Sequence, residues 1–509
     1  MPRRALTLAT AATLALAACA GSEAGVTTGT TAAPIPSTVP PGTDGSDPPP
    51  TQPERPLPIE WRDCDRGLEC ATYGVPLDWS DPTRGTVELF VKRRPAGEPD
   101  RRIGTLFANP GGPGVPGTAL VDQAELQFSE DVLDRFDLLS WDPRGVGRTG
   151  EVDCVEDLDP YFGIDSTPDD DEERQALIDS GKDWGERCQQ RNGDLLPYVS
   201  TQDAARDMDA IRKALGEPET SYFGFSYGSK LGATYATLFP DHVRAMVLDG
   251  ASNPNAPYEE DVAVTASSLE RSLDAVLAQC SADDDCAFHN GGDAEGAFDR
   301  LMADIDREPI EVEPDRPTVG HGVAYYAIVS SLYDEAFWPV LTDALADAQD
   351  GDGRALLQMY DDYLQRDADG TWTNAFESLL AINCLDDPGP QGDPSVQDEL
   401  AESLRSVAPR LGDWISYSFV CTFWPVAPVP RLEVTGAGAG PIVVVGTTGD
   451  PITPLELSRQ LAEEELEDGH LVTVEAERHT GYGVNRCSVD VVDAYLIDLV
   501  VPDDGVVCR

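Results

Sequence analysis

Few side chains in this sequence combine the chemistry and the setting needed to break an acyl bond, and Ser226 is the first of them. It stands in Gly224-Phe225-Ser226-Tyr227-Gly228, between an apolar run (Ser221–Phe225) and a helical pattern (Lys230–Phe239). A serine on so tight a strand-to-helix turn sits in a strained backbone, and the flanking glycines leave room for neighbouring chain to pass. The amides at the start of the helix point at negative charge developing beside the serine oxygen. Serine is a poor nucleophile unless a base takes its proton, and the base needs an acid to fix its tautomer.

The sequence has five histidines. His289 and His321 fall in a helix-rich middle region, and His242 and His470 precede apolar runs that read as strands. His479 alone follows such a run, in His479-Thr480-Gly481-Tyr482-Gly483, whose glycines let an imidazole reach across. The acid should close an earlier strand. Asp450 does so after Pro441–Val445, and Asp249, after Val243–Leu248, is the alternative. For the oxyanion, the spacing predicts one amide from Tyr227 and another from Gly111 or Gly112 in the loop Asn109–Gly114.

These residues need a sheet to bring them together. Tyr73–Leu77 and Thr86–Lys92 read as an antiparallel pair, and Thr105–Ala108 and Phe136–Trp141 as strands ending in glycine-rich loops. Glu151–Tyr198 is an acidic excursion with one helix, and Thr201–Leu215 an amphipathic helix leading into the serine's strand. From Ala251 the character changes to helical patterns: Val262–Gln279, Gly296–Asp306, Ala324–Ala346, Ala355–Gln365, Ala375–Asn383 and Val396–Val407. The strand–helix rhythm resumes at Pro441, with Thr453-Pro454-Leu455-Glu456 read as a capping box opening a helix to Leu466. The strand Leu471–Ala476 and the helix Asp490–Leu499 close the chain. The order Ser226, Asp450, His479 is that of an α/β-hydrolase. The expected fold is therefore α/β: a mostly parallel eight-stranded sheet with a large helical cap inserted after strand 6. The core is assigned to 58–250 and 435–509, and the cap to 251–434.

Composition narrows the setting. With 509 residues, 41% of them hydrophobic, the chain can bury a large core, and its net charge of −56 repels phosphate backbones, which excludes nucleic acid as a partner. Residues 1–19 read as an export signal: Pro2-Arg3-Arg4, then the short apolar stretch Ala5–Ala18, then Leu16-Ala17-Ala18-Cys19, which resembles a lipobox with Cys19 acylated. Residues 20–57, rich in Thr, Pro, Gly and Ser, read as a disordered tether. Apart from Cys19, ten cysteines remain, an even number in an exported chain, which argues for disulfides. Close spacing suggests the pairs Cys64–Cys70, Cys154–Cys188, Cys280–Cys286, Cys384–Cys421 and Cys487–Cys508.

Taken together, the loop Asn109–Gly114, Trp141-Asp142-Pro143-Arg144-Gly145-Val146-Gly147, the serine turn, Ala381–Asp386, Gly449–Pro454 and His479-Thr480-Gly481 resemble the tripeptidyl aminopeptidase branch of the prolyl-aminopeptidase-like α/β-hydrolases. The resemblance covers roughly residues 60–509. It implies exported actinobacterial enzymes, some of them lipoproteins, and a triad at Ser226, Asp450 and His479. On that reading the chain is a serine peptidase acting on peptides with a free N-terminus, anchored to the membrane through Cys19, with no metal or organic cofactor implied. An ammonium-binding role falls on Glu377 and Asp386, the latter in the stretch that resembles the family's cap motif. A carboxylesterase or lipase acting on envelope esters is the alternative. An inactive surface binding lipoprotein is a more remote one.

Overall fold

The computed structural model describes residues 58–389 and 391–509. The export signal, Cys19 and the tether lie outside them. Ten strands form one sheet: β1 (Arg62–Asp63), β2 (Glu69–Pro76), β3 (Thr86–Arg94), β4 (Gly104–Asn109), β5 (Phe136–Trp141), β6 (Thr220–Phe225), β7 (Val243–Asp249), β8 (Ile442–Thr447), β9 (Gly469–Val474) and β10 (Val506–Cys508). Their spatial order is β1-β2-β3-β5-β4-β6-β7-β8-β9-β10. The pairs from β1 through β3 to β5 are antiparallel and the rest are parallel. The eight expected strands are β2 to β9. The two additional ones, of two and three residues, are too short to carry a periodic signal, and each lies at an edge beside a disulfide, Cys64–Cys70 or Cys487–Cys508.

The central strands β4 to β8 are buried almost throughout, as strands covered on both faces must be. Alternation sorts their side chains. Tyr222, Met246, Leu248 and Val444 pack on the face covered by α2 (Thr201–Leu215) and α3 (Tyr227–Leu238), which follow α1 (Asp171–Asn192) of the acidic excursion. Phe223, Val247, Val443 and Val445 pack on the other, toward the closing helix Arg486–Asp498. Parallel pairing aligns the strand ends: Asn109 lies beside Gly224, and Phe225 beside Asp249, which lies beside Val445. Loops leaving these ends share one edge, where a doubly covered sheet places its site.

The cap lies between β7 and β8. Its helices are α4 (Tyr258–Ala282), α5 (Ala294–Arg307), α6 (His321–Leu332), α7 (Trp338–Gln349), α8 (Arg354–Leu364), α9 (Ala375–Asp386) and α10 (Ser395–Leu404), with a shorter turn at Gly412–Ser416. The single helix expected over Ala324–Ala346 is two helices. It breaks at Tyr333–Phe337 because Pro339 cannot continue a helix but suits the first turn of a new one, and Asp334 accepts from the Ala336 amide to cap the intervening 3₁₀ turn Glu335–Phe337.

All five cysteine pairs expected from spacing are bonded. Cys487–Cys508 ties the last strand to the start of the closing helix across 21 residues. Replacing both by serine should therefore lower the unfolding free energy by about 3 kcal/mol, measured by denaturant titration of the oxidised protein.

Candidate active site

Ser226 occupies the turn between β6 and α3 with φ 54° and ψ −125°, a left-handed conformation costly for any residue with a Cβ. It is held there by its amide, which donates to the Asp249 carbonyl at 2.8 Å. The flanking glycines are obligatory: a Cβ on Gly224 would lie 2.2 Å from the Gly228 carbonyl oxygen, and one on Gly228 2.8 Å from that of Asn109.

His479 and Asp450 meet across the ends of β8 and β9. The Nδ1 of His479 lies 2.9 and 2.8 Å from the two Asp450 carboxylate oxygens, and both residues are buried, at 8% and 1% exposed. Asp450 Oδ1 also accepts from the amides of Ile452 (2.9 Å) and Thr453 (2.8 Å), and Oδ2 from the Thr453 hydroxyl (3.1 Å) and Thr480 amide (3.3 Å). These four donors fix the plane of the carboxylate. With Nδ1 committed to Asp450, Nε2 is the free nitrogen, and among the described residues it is buried with no hydrogen-bond partner. The imidazole reaches the elbow side of the sheet edge, since a Cβ on Gly250, one residue past β7, would lie 3.0 Å from its Cε1.

The expected capping box is absent. Thr453 turns its hydroxyl to Asp450 instead of to helix amides, Glu456 pairs with Arg459, and the helix begins at Leu455 without a side-chain cap. Asp249, the alternative acid, accepts from the amides of Gly481 (2.7 Å) and Tyr482 (2.8 Å) rather than from an imidazole. It grips the histidine loop from below. The other four histidines lie elsewhere: His242 beside Asp209 at 2.9 Å, His470 within β9 beside Asp468, His289 near Asp284, and His321 against the Met302 carbonyl.

The loop after β4 passes directly over the nucleophile, for a Cβ on Gly111 would fall 2.7 Å from that of Ser226. The two candidate glycines separate here. The Gly111 amide donates to Asn109 Oδ1 at 3.0 Å, whereas the Gly112 amide has no acceptor among the described residues. Tyr227 is the first residue of α3, where an N–H has no partner inside the helix. Gly112 and Tyr227 thus have the amides available to an oxyanion. The Asp142–Gly147 loop is scaffold: Arg144 is fully buried, bonded bidentately to Asp207 at 2.6 and 2.7 Å and to the carbonyls of Leu77 and Tyr198.

Glu377 and Asp386, the residues expected to bind an ammonium, both take contacts from the protein itself. Glu377, 4% exposed, accepts from the amides of Cys154 (2.6 Å) and Val155 (2.9 Å), both at Oε1, and pins the acidic excursion to the cap. Asp386 accepts from the Thr201 amide (3.1 Å) and hydroxyl (2.5 Å) and faces Lys230 at 3.5 Å, while Lys230 is also bound by Asp387. Each carboxylate serves the protein itself, which position in the sequence could not reveal.

Burial pushes the Glu377 carboxyl up to about 7. Between its ordinary value near 4.5 and about 7, the folded state keeps a proton that the unfolded chain has lost, so this group lowers stability as pH rises through that window. A glutamine retains the oxygen that takes both amides. Glu377→Gln should therefore raise Tm increasingly from pH 5 to 8, by thermal melts, and leave KM for free-amine peptides unchanged.

Residues 104–289 match the family described as alpha/beta hydrolase fold, and residues 408–508 match the TAP-like protein family. Serine protease Hip1 of Mycobacterium tuberculosis is 32% identical over 493 residues, covering 90% of this chain and 92% of that protein. Carboxylesterase B of the same organism is 31% identical, covering 87% and 86%. The tripeptidyl aminopeptidase of Streptomyces coelicolor is 30% identical, covering 86% and 84%.

Proposed function

The chain belongs to the TAP-like α/β-hydrolase family, and from that premise we propose that it is an exported serine aminopeptidase releasing short, tripeptidyl-type products from free N-termini. The observation that carries the chemistry is the His479–Asp450 pair, which leaves a buried Nε2, unpartnered among the described residues, at the sheet edge that holds Ser226. Ser226 Oγ attacks the scissile carbonyl carbon as its proton passes to Nε2, and Asp450 keeps Nδ1–H in place and supports the imidazolium. The amides of Tyr227 and Gly112 receive the oxyanion. Collapse breaks the C–N bond, the amine leaves with the proton from Nε2, and an ester to Ser226 remains. Water, deprotonated by the same nitrogen, hydrolyses it.

A carboxylesterase is the second reading. It is favoured by the internal pairing of Glu377 and Asp386, which leaves those two carboxylates committed, and by the likeness to carboxylesterase B. Rates on free and N-acetylated tripeptide anilides, beside short acyl esters, separate the two. The aminopeptidase hydrolyses the free peptide far faster than the acetylated one. Equal rates on both peptides, with faster turnover of esters, would favour the esterase.

Cys19 would carry the lipid anchor, with residues 20–57 holding the enzyme away from the membrane. Cys19→Ala should move the protein from the membrane fraction to the medium; unchanged detergent partitioning would contradict the anchor.

A further inference from the structure

We propose that the cap segment Tyr333–Glu335, where the expected long helix breaks, is a strap that positions the imidazole of His479. The inference rests on the reading of His479 as the general base. The histidine loop is gripped from the core side by Asp249, by Asp450, and by the Thr447 hydroxyl, which donates to the Arg478 carbonyl. From the cap side, three consecutive residues contact it.

The His479 amide donates to the Tyr333 carbonyl at 2.8 Å, and the Glu335 amide donates to the Glu477 carbonyl at 3.0 Å. Asp334 and Arg478 stand opposite each other as an antiparallel bridge, and their side chains form an ion pair at 3.1 Å. The Tyr333 ring meets the imidazole edge to face, with centroids 5.5 Å apart and planes at 86°. The strap therefore pairs with the catalytic loop as a short strand would, and its one aromatic side chain lies against the ring that must move a proton.

The Asp450 hydrogen bond fixes the position of Nδ1 but permits the imidazole to rock about that point, which would swing Nε2 relative to Ser226. A ring packed against the imidazole and a hydrogen bond on the residue's own amide both oppose that motion. Tyr333 is thus a positioning residue that acts through His479. Loss of it should slow every step in which Nε2 moves a proton, without altering the contacts that bind substrate.

The test uses the full-length enzyme, with kcat and KM on a peptide anilide and the rate of labelling by a fluorophosphonate, which reacts with the serine without the substrate's binding contacts. Tyr333→Ala should lower kcat and the labelling rate together by about 10–100-fold, the scale of a misplaced catalytic group, with KM little changed. Tyr333→Phe, which keeps the ring, should restore both. Labelling by Tyr333→Ala at the wild-type rate would overturn the proposal, as would a loss confined to KM or a loss that phenylalanine fails to restore.

Glu335→Pro provides a variant that leaves the aromatic ring alone. Glu335 begins a 3₁₀ turn and Asp334 before it is extended (φ −154°, ψ 134°), so proline fits while removing the amide bound to Glu477. It should lower kcat by about 3–10-fold at constant KM, the worth of one hydrogen bond. Unchanged kcat in this variant would also overturn the strap. Ser226→Ala run in parallel separates the levels: a dead Ser226→Ala beside a fully active Tyr333→Ala rejects the strap alone, whereas an active Ser226→Ala rejects the reading beneath it.

Discussion

Ser226→Ala should lower kcat by roughly 10⁴–10⁶-fold while leaving the fold and melting temperature intact. The side chain is small, its surroundings are already shaped by Gly111, Gly224 and Gly228, and alanine keeps the Cβ that the left-handed turn tolerates. The neighbouring Ser229 offers no substitute hydroxyl, because its side chain is fully buried. His479→Ala should cost about as much, and the double variant little more, because a nucleophile without its base and a base without its nucleophile are equally idle. Steady-state kinetics on the three proteins, with circular dichroism as the control for folding, checks the result.

Asp450→Asn should lower kcat by about 10⁴-fold, the effect expected when an amide replaces the orienting acid and holds the imidazole in the wrong tautomer. The asparagine can still accept from the Ile452 and Thr453 amides at Oδ1, so the loop should stay folded. What changes is the Oδ2 position, where an NH₂ would oppose both Nδ1–H of His479 and the Thr480 amide. Asp249→Asn makes the informative comparison. Asp249 binds the amides of Gly481 and Tyr482, and burial pushes its carboxyl up to about 6. Its loss should loosen the histidine loop and reduce kcat by orders of magnitude less than the loss of Asp450. The ranking of the two variants at one pH is the measurement. A greater loss from Asp249→Asn, in a folded protein, would reassign the acid.

The sheet was legible because its signals are local. Buried runs such as Ile442–Thr447 and alternating ones such as Thr86–Arg94 declare their environment in a few residues, and the glycines around Ser226 announce a turn that no other residue permits. The serine, aspartate and histidine were chosen for their places after strands, and the structure pairs His479 with Asp450. The cysteine pairs followed from nearest-neighbour order, since each closure stays within one hairpin, excursion, cap segment or the C-terminal segment. What stayed hidden depends on contacts between residues distant in the chain. Glu377 looks like any acidic cap residue until the Cys154 and Val155 amides, more than 220 positions earlier, are seen on its carboxylate. Tyr333 has no sequence mark of its bond to His479. The one available clue was Pro339, which argues against a continuous helix through that region and so for an irregular segment there. Thr453 misled because its spacing to Glu456 fits a capping box, while the nearby Asp450 offered its hydroxyl a stronger, charged acceptor.

The most direct test of the central claim is covalent. Wild-type protein treated with a fluorophosphonate and digested should carry one adduct per chain, on the peptide containing Ser226. His479→Ala and Asp450→Asn should form the same adduct far more slowly. Failure of the wild-type protein to label, or an adduct mapped to another residue, would contradict Ser226 as a nucleophile activated by His479 and Asp450.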